Sequence, residues 1–319
     1  MKAVVVKKFG APKDIEISEI STPQIVAGAE LVDVEYSGIN FSDLHKIAGT
    51  YLKKNELPFI PGTEIFGRDS SGRRVLGFVD EGGHAQHAAV SAEFMVPVPD
   101  FVTGEEALAL GLQGFTAWHL LRKCVRSVRG QSIVIHGAAG GVGSVAVQLA
   151  KAWGASRVIA VGSTPDKRNL AMSIGADTVV DSGTENMTAA LLDANAGRPV
   201  DIVLEMVGGQ TLNHGLAALG AHGRMVVYGT ASNEPSTPVH LESLIGGSRS
   251  VVGFWAEDLV RTNPRALAET AAGLFGMVKN NQLKPVIGGA YPLDDAAKAF
   301  NLVAERSTVG KVVLNMAES

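Results

Sequence analysis

Residues 132–144, SIVIHGAAGGVGS, decide the fold of this 319-residue chain. The apolar run Ser132–His136 has the length of a buried strand, and the glycines after it lead into a helical pattern over Gly143–Trp153 that Gly154 ends. A glycine-rich turn between a strand and a helix gathers backbone N–H groups at the positive end of the helix dipole. We expect this turn to bind the pyrophosphate of a dinucleotide, the alternative being a tight junction without a ligand.

The same alternation of strand and helix continues beyond the glycine turn. A helical pattern over Lys167–Ile174 separates two of the apolar runs that follow. The further strands are predicted at Arg157–Val161, Thr178–Asp181, Ile202–Glu205, Met225–Tyr228 and Val251–Gly253. Runs that are apolar almost throughout are typical of a parallel sheet covered on both faces, so the fold class is α/β with a doubly wound parallel sheet.

The first third of the chain has a different pattern. Short apolar or alternating runs at Ala3–Val6, Leu31–Tyr36, Val75–Val79 and His87–Val90 are separated by glycines and prolines. This pattern predicts a small, mostly β domain. Helices are predicted at Thr103–Leu112, Thr116–Val125, Pro264–Asn280 and Asp294–Val303, and a closing strand at Lys311–Asn315. We expect about the last 60 residues to return to the first domain.

Composition narrows the functional class. The length suits about two domains at roughly 150 residues each. A net charge of −4 and a pI near 6.1 argue against nucleic acid or an anionic membrane as a partner. The single cysteine, Cys124, cannot form an intramolecular disulfide, and no apolar run reaches the roughly 18 residues of a membrane helix. We therefore expect a cytoplasmic protein.

The end of the second strand indicates which dinucleotide is bound. An NAD site usually has an acidic residue there, but this chain reads GSTPDKR at residues 162–168. The hydroxyls of Ser163 and Thr164 and the charges of Lys167 and Arg168 suit a 2′-phosphate, the alternative for the two cations being a solvated first turn of a helix. The sequence thus favours NADPH as the cofactor.

Several motifs together resemble the medium-chain dehydrogenase/reductase superfamily, and within it the zinc-independent quinone oxidoreductases. Besides the glycine turn, they are GINFSD (38–43), PGTE (61–64), GGHA (82–85), QGFTA (113–117) and GKVVL (310–314). The resemblance covers nearly the whole chain. It implies a GroES-like, mostly β catalytic domain formed by residues 1–117 and 255–319, and a Rossmann NADPH-binding domain formed by residues 118–254.

The resemblance also implies roles for individual residues. Gly140, Gly141 and Val142 would contact the pyrophosphate, and Ser163, Thr164 and Lys167 the 2′-phosphate. The residues implied around the nicotinamide half are Thr116, Val207, Gly229 and Phe254. Relatives often place a tyrosine after the third strand to support the 2′-phosphate, whereas this chain has Ser182.

Two residues are candidates for the reacting centre. The resemblance places Asn40 near the nicotinamide ribose, and aligns Tyr51 with a tyrosine that could hydrogen-bond an acceptor oxygen. Tyr51 could equally be a packing residue of its loop. His45 is a weaker candidate for the same cleft.

No metal site is expected. Zinc-dependent relatives carry Cys and His where this chain has Asn40 and Thr63, and zinc needs three or four soft or imidazole ligands. His84 and His87 stand three residues apart, so on a strand they would face opposite sides.

These observations predict an NADPH:quinone oxidoreductase that acts on a small electrophilic acceptor. One alternative is an NADPH-dependent reductase of α,β-unsaturated carbonyls, which shares all the motifs. A second is a non-catalytic NADPH-binding protein. The resemblance implies a homodimer that pairs Val251–Gly253 with a second copy.

Overall fold

The computed structural model describes residues 1–316. The strands are β1 (Lys2–Val5), β2 (Glu16–Glu19), β3 (Ala29–Ile39), β4 (Glu64–Arg68), β5 (Arg74–Phe78), β6 (His87–Ser91), β7 (Met95–Pro97), β8 (Ser132–His136), β9 (Arg157–Gly162), β10 (Thr178–Asp181), β11 (Val200–Glu205), β12 (Leu219–Val227), β13 (Ser250–Gly253), β14 (Ile287–Pro292) and β15 (Lys311–Asn315).

The helices alternate with these strands. The α-helices are α1 (Phe41–Ala48), α2 (Gly104–Leu108), α3 (Gly114–His119), α4 (Gly141–Ala152), α5 (Pro165–Ser173), α6 (Met187–Ala194), α7 (Gly209–Ala218), α8 (Leu241–Ile245), α9 (Ala256–Thr262), α10 (Arg265–Lys279) and α11 (Ala296–Ala304). Short 3₁₀ turns occur at Pro12–Asp14, Ala92–Phe94 and Leu293–Asp295, and wider π-helical turns at Ala109–Gln113 and Leu120–Cys124.

The chain forms two compact units. Unit 1 contains Met1–Gln113, Val260–Lys279 and the described residues from Pro285 onward. Unit 2 contains Gly114–Leu259 and Asn280–Lys284.

Unit 2 is built on a six-stranded sheet in which every neighbouring pair is parallel, with the order β10-β9-β8-β11-β12-β13. Numbered from β8, this is the 3-2-1-4-5-6 order of a Rossmann sheet. Its strands are short apolar runs that connecting helices cover, as the sequence predicted. The doubly wound α/β prediction is therefore confirmed.

Unit 1 is mostly antiparallel. A seven-stranded sheet has the order β14-β15-β3-β4-β5-β7, with β6 also pairing β3, and β1 and β2 form a separate hairpin sheet. The eleven residues of β3 exceed the predicted Leu31–Tyr36, because its first half pairs with β6 and its second half with β15, near the end of the chain. The mostly β prediction for this part of the chain is confirmed.

Each unit has its own apolar core. In unit 1, Phe300 of α11 and Ile65 of β4 are buried with the inner faces of β3 and β15. In unit 2, Val134, Ile159 and Val203 of the central strands are completely buried. Among the described residues, no helix combines the length and apolar character that crossing a bilayer requires.

Candidate active site

The glycine turn of unit 2 lies where the strand order reverses. β8 has β9 on one side and β11 on the other, so the chain builds the sheet outward from β8 first through β9 and β10 and then, on the other side, through β11, β12 and β13. Ligands of doubly wound sheets bind at this point, at the carboxyl ends of the strands. The helix α4 starts directly after the turn, at Gly141, with Gly140 as its N-cap.

The backbone of this turn is built for close approach. A Cβ atom added to Gly143 would lie 2.2 Å from the carbonyl oxygen of Gly137, so only glycine fits there. No side chain caps the helix at Gly140, and Gly140, Gly141 and Val142 are each partly exposed. No side chain of the protein therefore caps the first turn of α4, the kind of helix N-terminus that can bind an anion.

The neighbouring strand β9 ends beside this turn. It pairs in parallel with β8, with Val161 opposite His136. Ser163 and Thr164 follow β9 and are exposed, and Thr164 caps α5 by accepting a hydrogen bond from the Lys167 amide at 3.3 Å. The three residues predicted to hold a 2′-phosphate are thus brought together at one helix N-terminus.

Arg168 is held by protein groups at the same place. Its guanidinium donates to the Gly162 carbonyl at 2.9 Å and forms an ion pair with Asp181 of β10 at 2.9 Å. The Ser182 amide donates to that same carbonyl of Gly162 at 3.2 Å. The charge of Arg168 is thus offset by Asp181.

The turn after β11 contains another of the predicted residues. The Glu205 carboxylate accepts hydrogen bonds from the Val207 amide at 2.5 Å and the Gly208 amide at 2.9 Å. A Cβ on Gly229 would lie 3.2 Å from the carbonyl oxygen of Met206. Val207 and Gly229 therefore belong to two packed loops at the carboxyl edge of the sheet.

The remaining predicted residues of the nicotinamide half lie around His119. The His119 ring stacks on Phe254 with 6.4 Å between ring centres, and it follows Thr116 by one helical turn of α3. Phe115 contacts the same imidazole, at 4.4 Å between ring centres. Burial, assisted by nearby Lys123, lowers the pKa of His119 to about 4, so the ring is neutral at physiological pH.

In unit 1, Asn40 belongs to a buried polar network. Its side-chain N–H donates to Glu64 Oε1 at 2.8 Å, and its Oδ1 accepts from the Lys311 ammonium at 3.0 Å. Lys311 also forms an ion pair with Glu64 and donates to the Ile39 carbonyl at 3.1 Å. Glu64 and Lys311 are completely buried, so the orientation of the Asn40 amide is fixed from both sides.

Glu64 connects this network to a third segment. Its second oxygen, Oε2, accepts the Leu112 amide at 2.7 Å, inside the turn where the helical backbone breaks at Gly111. A Cβ on Gly111 would lie 2.2 Å from that oxygen. No role for Glu64 or Lys311 was expected from the sequence, although each is a charged residue that begins an apolar strand.

This network does not fit a zinc ion. The Lys311 ammonium beside Asn40 Oδ1 would repel a dication, and Thr63, at the other ligand position, is a buried hydroxyl. Within residues 1–316, no cluster of three His, Cys, Asp or Glu could hold a metal.

The two histidines considered as metal ligands have separate partners. His84 is completely buried, hydrogen-bonds Ser37 and lies 3.6 Å from the Asp43 carboxylate. His87 contacts Asp33 at 2.9 Å. Burial alone would raise the pKa of Asp43, but His84 and other groups, including the Asn40 amide, together lower it below its ordinary value.

Tyr51 follows the C-terminus of α1, at the opposite end of that helix from Asn40. The Lys46 ammonium lies 5.1 Å from the centre of the Tyr51 ring and donates a hydrogen bond to the Asp80 carbonyl at 3.1 Å. Lys53 adds an ion pair to the Asp80 carboxylate at 2.7 Å. Tyr51 is therefore part of a tethered loop, whereas His45 contacts Thr50 at 3.1 Å and burial lowers its pKa.

Known proteins are similar to this chain in sequence. A family model described as zinc-binding dehydrogenase matches residues 141–272. A quinone oxidoreductase-like protein 2 homolog of Nematostella vectensis is 30% identical, over 98% of this chain and 88% of its own.

Two solved structures are similar as well. A quinone oxidoreductase of Thermus thermophilus, solved also in complex with NADPH, is 32% identical with a TM-score of 0.88, over 99% of this chain and 100% of its own. The quinone oxidoreductase of Escherichia coli in complex with NADPH is 28% identical with a TM-score of 0.92, over the same shares. Taken with the glycine turn and the Rossmann strand order, these similarities show that the chain belongs to the zinc-independent quinone oxidoreductase family of the medium-chain dehydrogenase/reductase superfamily.

Proposed function

We propose that this oxidoreductase uses NADPH to reduce a quinone-type acceptor. The observation that carries the proposal is the uncapped N-terminus of α4 beside the Ser163–Lys167 corner. Similar structures from T. thermophilus and E. coli contain NADPH, which supports the same cofactor here. In this proposal the catalytic domain is formed by residues 1–117 and 255–319, and the cofactor-binding domain by residues 118–254.

The residues of unit 2 fit a phosphorylated dinucleotide. Gly141 and Val142 offer amides to the pyrophosphate, since no side chain caps the helix there, and Gly140 contacts it through its backbone, its own amide donating to the Gly137 carbonyl at 2.8 Å. Ser163 and Thr164 supply hydroxyls, and Lys167 a cation, to the 2′-phosphate. Thr116, Val207, Gly229 and Phe254 are the residues we assign to the nicotinamide half.

The acceptor should be one that takes hydride without a metal ion to polarise its carbonyl group. NADPH supplies that hydride when it is bound. In unit 1 the position of a zinc ligand is filled by Asn40, whose amide is already bonded to Glu64 and Lys311. A quinone needs little further activation, because its reduction gives an aromatic product. We assign to Asn40 a positioning role near the reacting centre, and to the Tyr51 hydroxyl a hydrogen bond to the acceptor oxygen.

Turnover measurements test the acceptor. Purified protein with NADPH should reduce substituted benzoquinones with kcat/KM at least about tenfold above that for α,β-unsaturated ketones. Tyr51→Phe should lower kcat/KM for quinones while leaving the Kd of NADPH unchanged. Turnover of the enones with none of the quinones would instead establish the enone reductase, and tight NADPH binding with no turnover of any electrophile would contradict both.

The 2′-phosphate site has its own test. Lys167→Ala should weaken NADPH about tenfold or more, since hydrogen bonds to charged groups contribute roughly 1.5–3 kcal/mol, and should barely affect NADH. Lys151→Ala is the matched control, because Lys151 lies in the last turn of α4, paired with Asp177. Equal weakening of NADPH and NADH by Lys167→Ala would refute the assignment.

We also propose that the protein is a homodimer paired through β13, the edge strand of the six-stranded sheet. Leu241 and Ile245 of α8, in the same unit, are 70% and 76% exposed. A Cβ on Gly253 meets no atom within 4 Å, so Gly253→Glu should leave the subunit folded and obstruct strand pairing. Analytical ultracentrifugation should then give a dimer for the parent and a monomer for the variant, and a monomeric parent would contradict the proposal.

A further inference from the structure

Two ionisable side chains meet under the carboxyl edge of the unit 2 sheet. Ile135 of β8 is in register with Leu204 of β11, so the next residues, His136 and Glu205, leave the two strands side by side. This is the point where the strand order reverses. His136 is 2% exposed and Glu205 is completely buried.

The two oxygens of the Glu205 carboxylate have different surroundings. Oε1 accepts the amides of Val207 and Gly208. Oε2 lies 3.7 Å from His136 Nε2, and within the described residues neither of these two buried atoms has a hydrogen-bond partner. Buried polar atoms without partners are costly, so each is a natural partner for the other.

The protonation states suit a hydrogen bond from histidine to carboxylate. Burial lowers the pKa of His136, an effect that nearby Glu205 opposes, so the ring is neutral at pH 7 and can carry its proton on Nε2. Burial, with Glu205 adding to it, raises the pKa of Tyr228, which keeps that phenol uncharged beside the carboxylate. A small movement of either side chain would turn the 3.7 Å contact between His136 Nε2 and Glu205 Oε2 into a charge-assisted hydrogen bond.

The segments that follow these residues are in contact. A Cβ on Gly137 would lie 3.5 Å from the sulfur of Met206, so the glycine turn adjoins the turn after β11. The Ser232 amide donates to the Val207 carbonyl at 2.8 Å, which ties in the segment after β12. The His136–Glu205 pair is thus placed to hold together the loops that carry the cofactor-binding residues.

We propose that Glu205 and His136 are positioning residues for this cofactor site. Oε1 of Glu205 shapes the turn that presents Val207, and His136 Nε2–H holds the other oxygen so that the carboxylate keeps its orientation. Through this pair the glycine turn and the turn after β11 act as one preorganised surface. The inference rests on the proposed NADPH function only for its consequence, which is tighter cofactor binding.

Two measurements on the full chain test the proposal. Hydrogen exchange in the cofactor-free protein reports on the amides of Val207 and Gly208, and calorimetry gives the Kd of NADPH. Glu205→Ala should accelerate exchange at both amides and raise the Kd about tenfold or more. Glu205→Gln keeps a carbonyl acceptor for the two amides and should bind NADPH within about threefold of the parent.

Asp201→Ala is the matched control. Asp201, at the opposite end of β11, accepts two hydrogen bonds from Ser132, both at 2.8 Å. Its loss should destabilise the fold without changing the Kd. His136→Phe should weaken NADPH about threefold or more in the parent and have no further effect beside Glu205→Ala.

Different results would overturn the positioning role of Glu205 and the proposed NADPH function. A Kd for Glu205→Ala equal to that of Asp201→Ala, or unchanged exchange at both amides, would overturn the positioning role. If Glu205→Ala does not fold, His136→Phe decides, and an unchanged Kd in that variant overturns the proposal. A parent protein that does not bind NADPH would refute the proposed function, while the exchange comparison would still decide whether Glu205 orders the turn.

Discussion

Removing the Lys311 ammonium should destabilise unit 1 more than removing any surface cation. In Lys311→Met the stem of the side chain is kept, but Glu64 loses its ion pair and Asn40 Oδ1 loses its donor at 3.0 Å. Both charged groups are completely buried, so water cannot replace the lost partner. Among residues 1–316, Glu64 would keep the N–H groups of Asn40 and Leu112.

The size of the expected loss in unfolding free energy follows from the burial of Glu64 and Lys311. Breaking one side of a buried ion pair costs about 3–5 kcal/mol, because an uncompensated charge stays inside the protein. For a unit of this size, 1 kcal/mol corresponds to roughly 2–4 °C in Tm, so the melting temperature should fall by roughly 6–20 °C. The matched control is Lys2→Met, since Lys2 pairs with Asp294 at 3.1 Å but is 32% exposed, and that change should cost at most about 1 kcal/mol.

The double variant Lys311→Met, Glu64→Gln shows whether the loss of stability comes from the unpaired charge of Glu64 or from lost packing. If the cost comes from the charge of Glu64, then Lys311→Met should cost at least about 1–2 kcal/mol less when Glu64 is already glutamine. Urea unfolding followed by circular dichroism measures the four members of this cycle. A cost below about 1 kcal/mol for Lys311→Met, or the same cost in both backgrounds, would refute the reasoning.

Three further changes give independent checks. Gly143→Ala forces a Cβ against the Gly137 carbonyl at 2.2 Å, so calorimetry should show at least about tenfold weaker NADPH binding than in the parent. His119→Gln should reduce the loss of stability that the parent shows on acidification. The pKa of His119 is about 4 in the folded protein and near 6.5 in the unfolded chain, so unfolding takes up a proton between these pH values. The stability of the parent therefore falls as the pH drops from about 6.5 to about 4, and the variant lacks this contribution. An unchanged slope of Tm against pH, relative to the exposed control His240→Gln, would contradict this. Thr103→Ala removes the hydroxyl that caps α2 and should cost about 1 kcal/mol in urea unfolding.

Local patterns predicted unit 2 well. The apolar runs of its strands and the glycine turn before α4 are signals within about a dozen residues, and the structure has a parallel sheet in Rossmann order. Helix bounds were less accurate where backbone hydrogen bonding changes type. The stretch predicted as one helix over Thr116–Val125 is α3 followed by a π-helical turn at Leu120–Cys124, and no residue pattern marks that change.

Long-range polar contacts could not be predicted in the same way. Glu64 and Lys311 are 247 residues apart, and they meet because β3 pairs with both β4 and β15. Periodicity shows which face of a strand is buried, but not which other strand lies beside it. The role of Asn40 was expected from resemblance alone, and the two partners that fix its amide became visible only with the sheet.

Both units use a buried carboxylate for the same physical task. An apolar strand fixes its own position by packing, but the turns beside it have amides and carbonyls that packing cannot orient. Glu64 holds the Leu112 amide, and Glu205 holds those of Val207 and Gly208. In each case a base lies next to the carboxylate, Lys311 in one unit and His136 in the other. Because Lys311 forms an ion pair with Glu64 whereas His136 is neutral at pH 7, removing the basic side chain should cost more fold stability at Glu64, while at Glu205 the main loss should be in cofactor affinity.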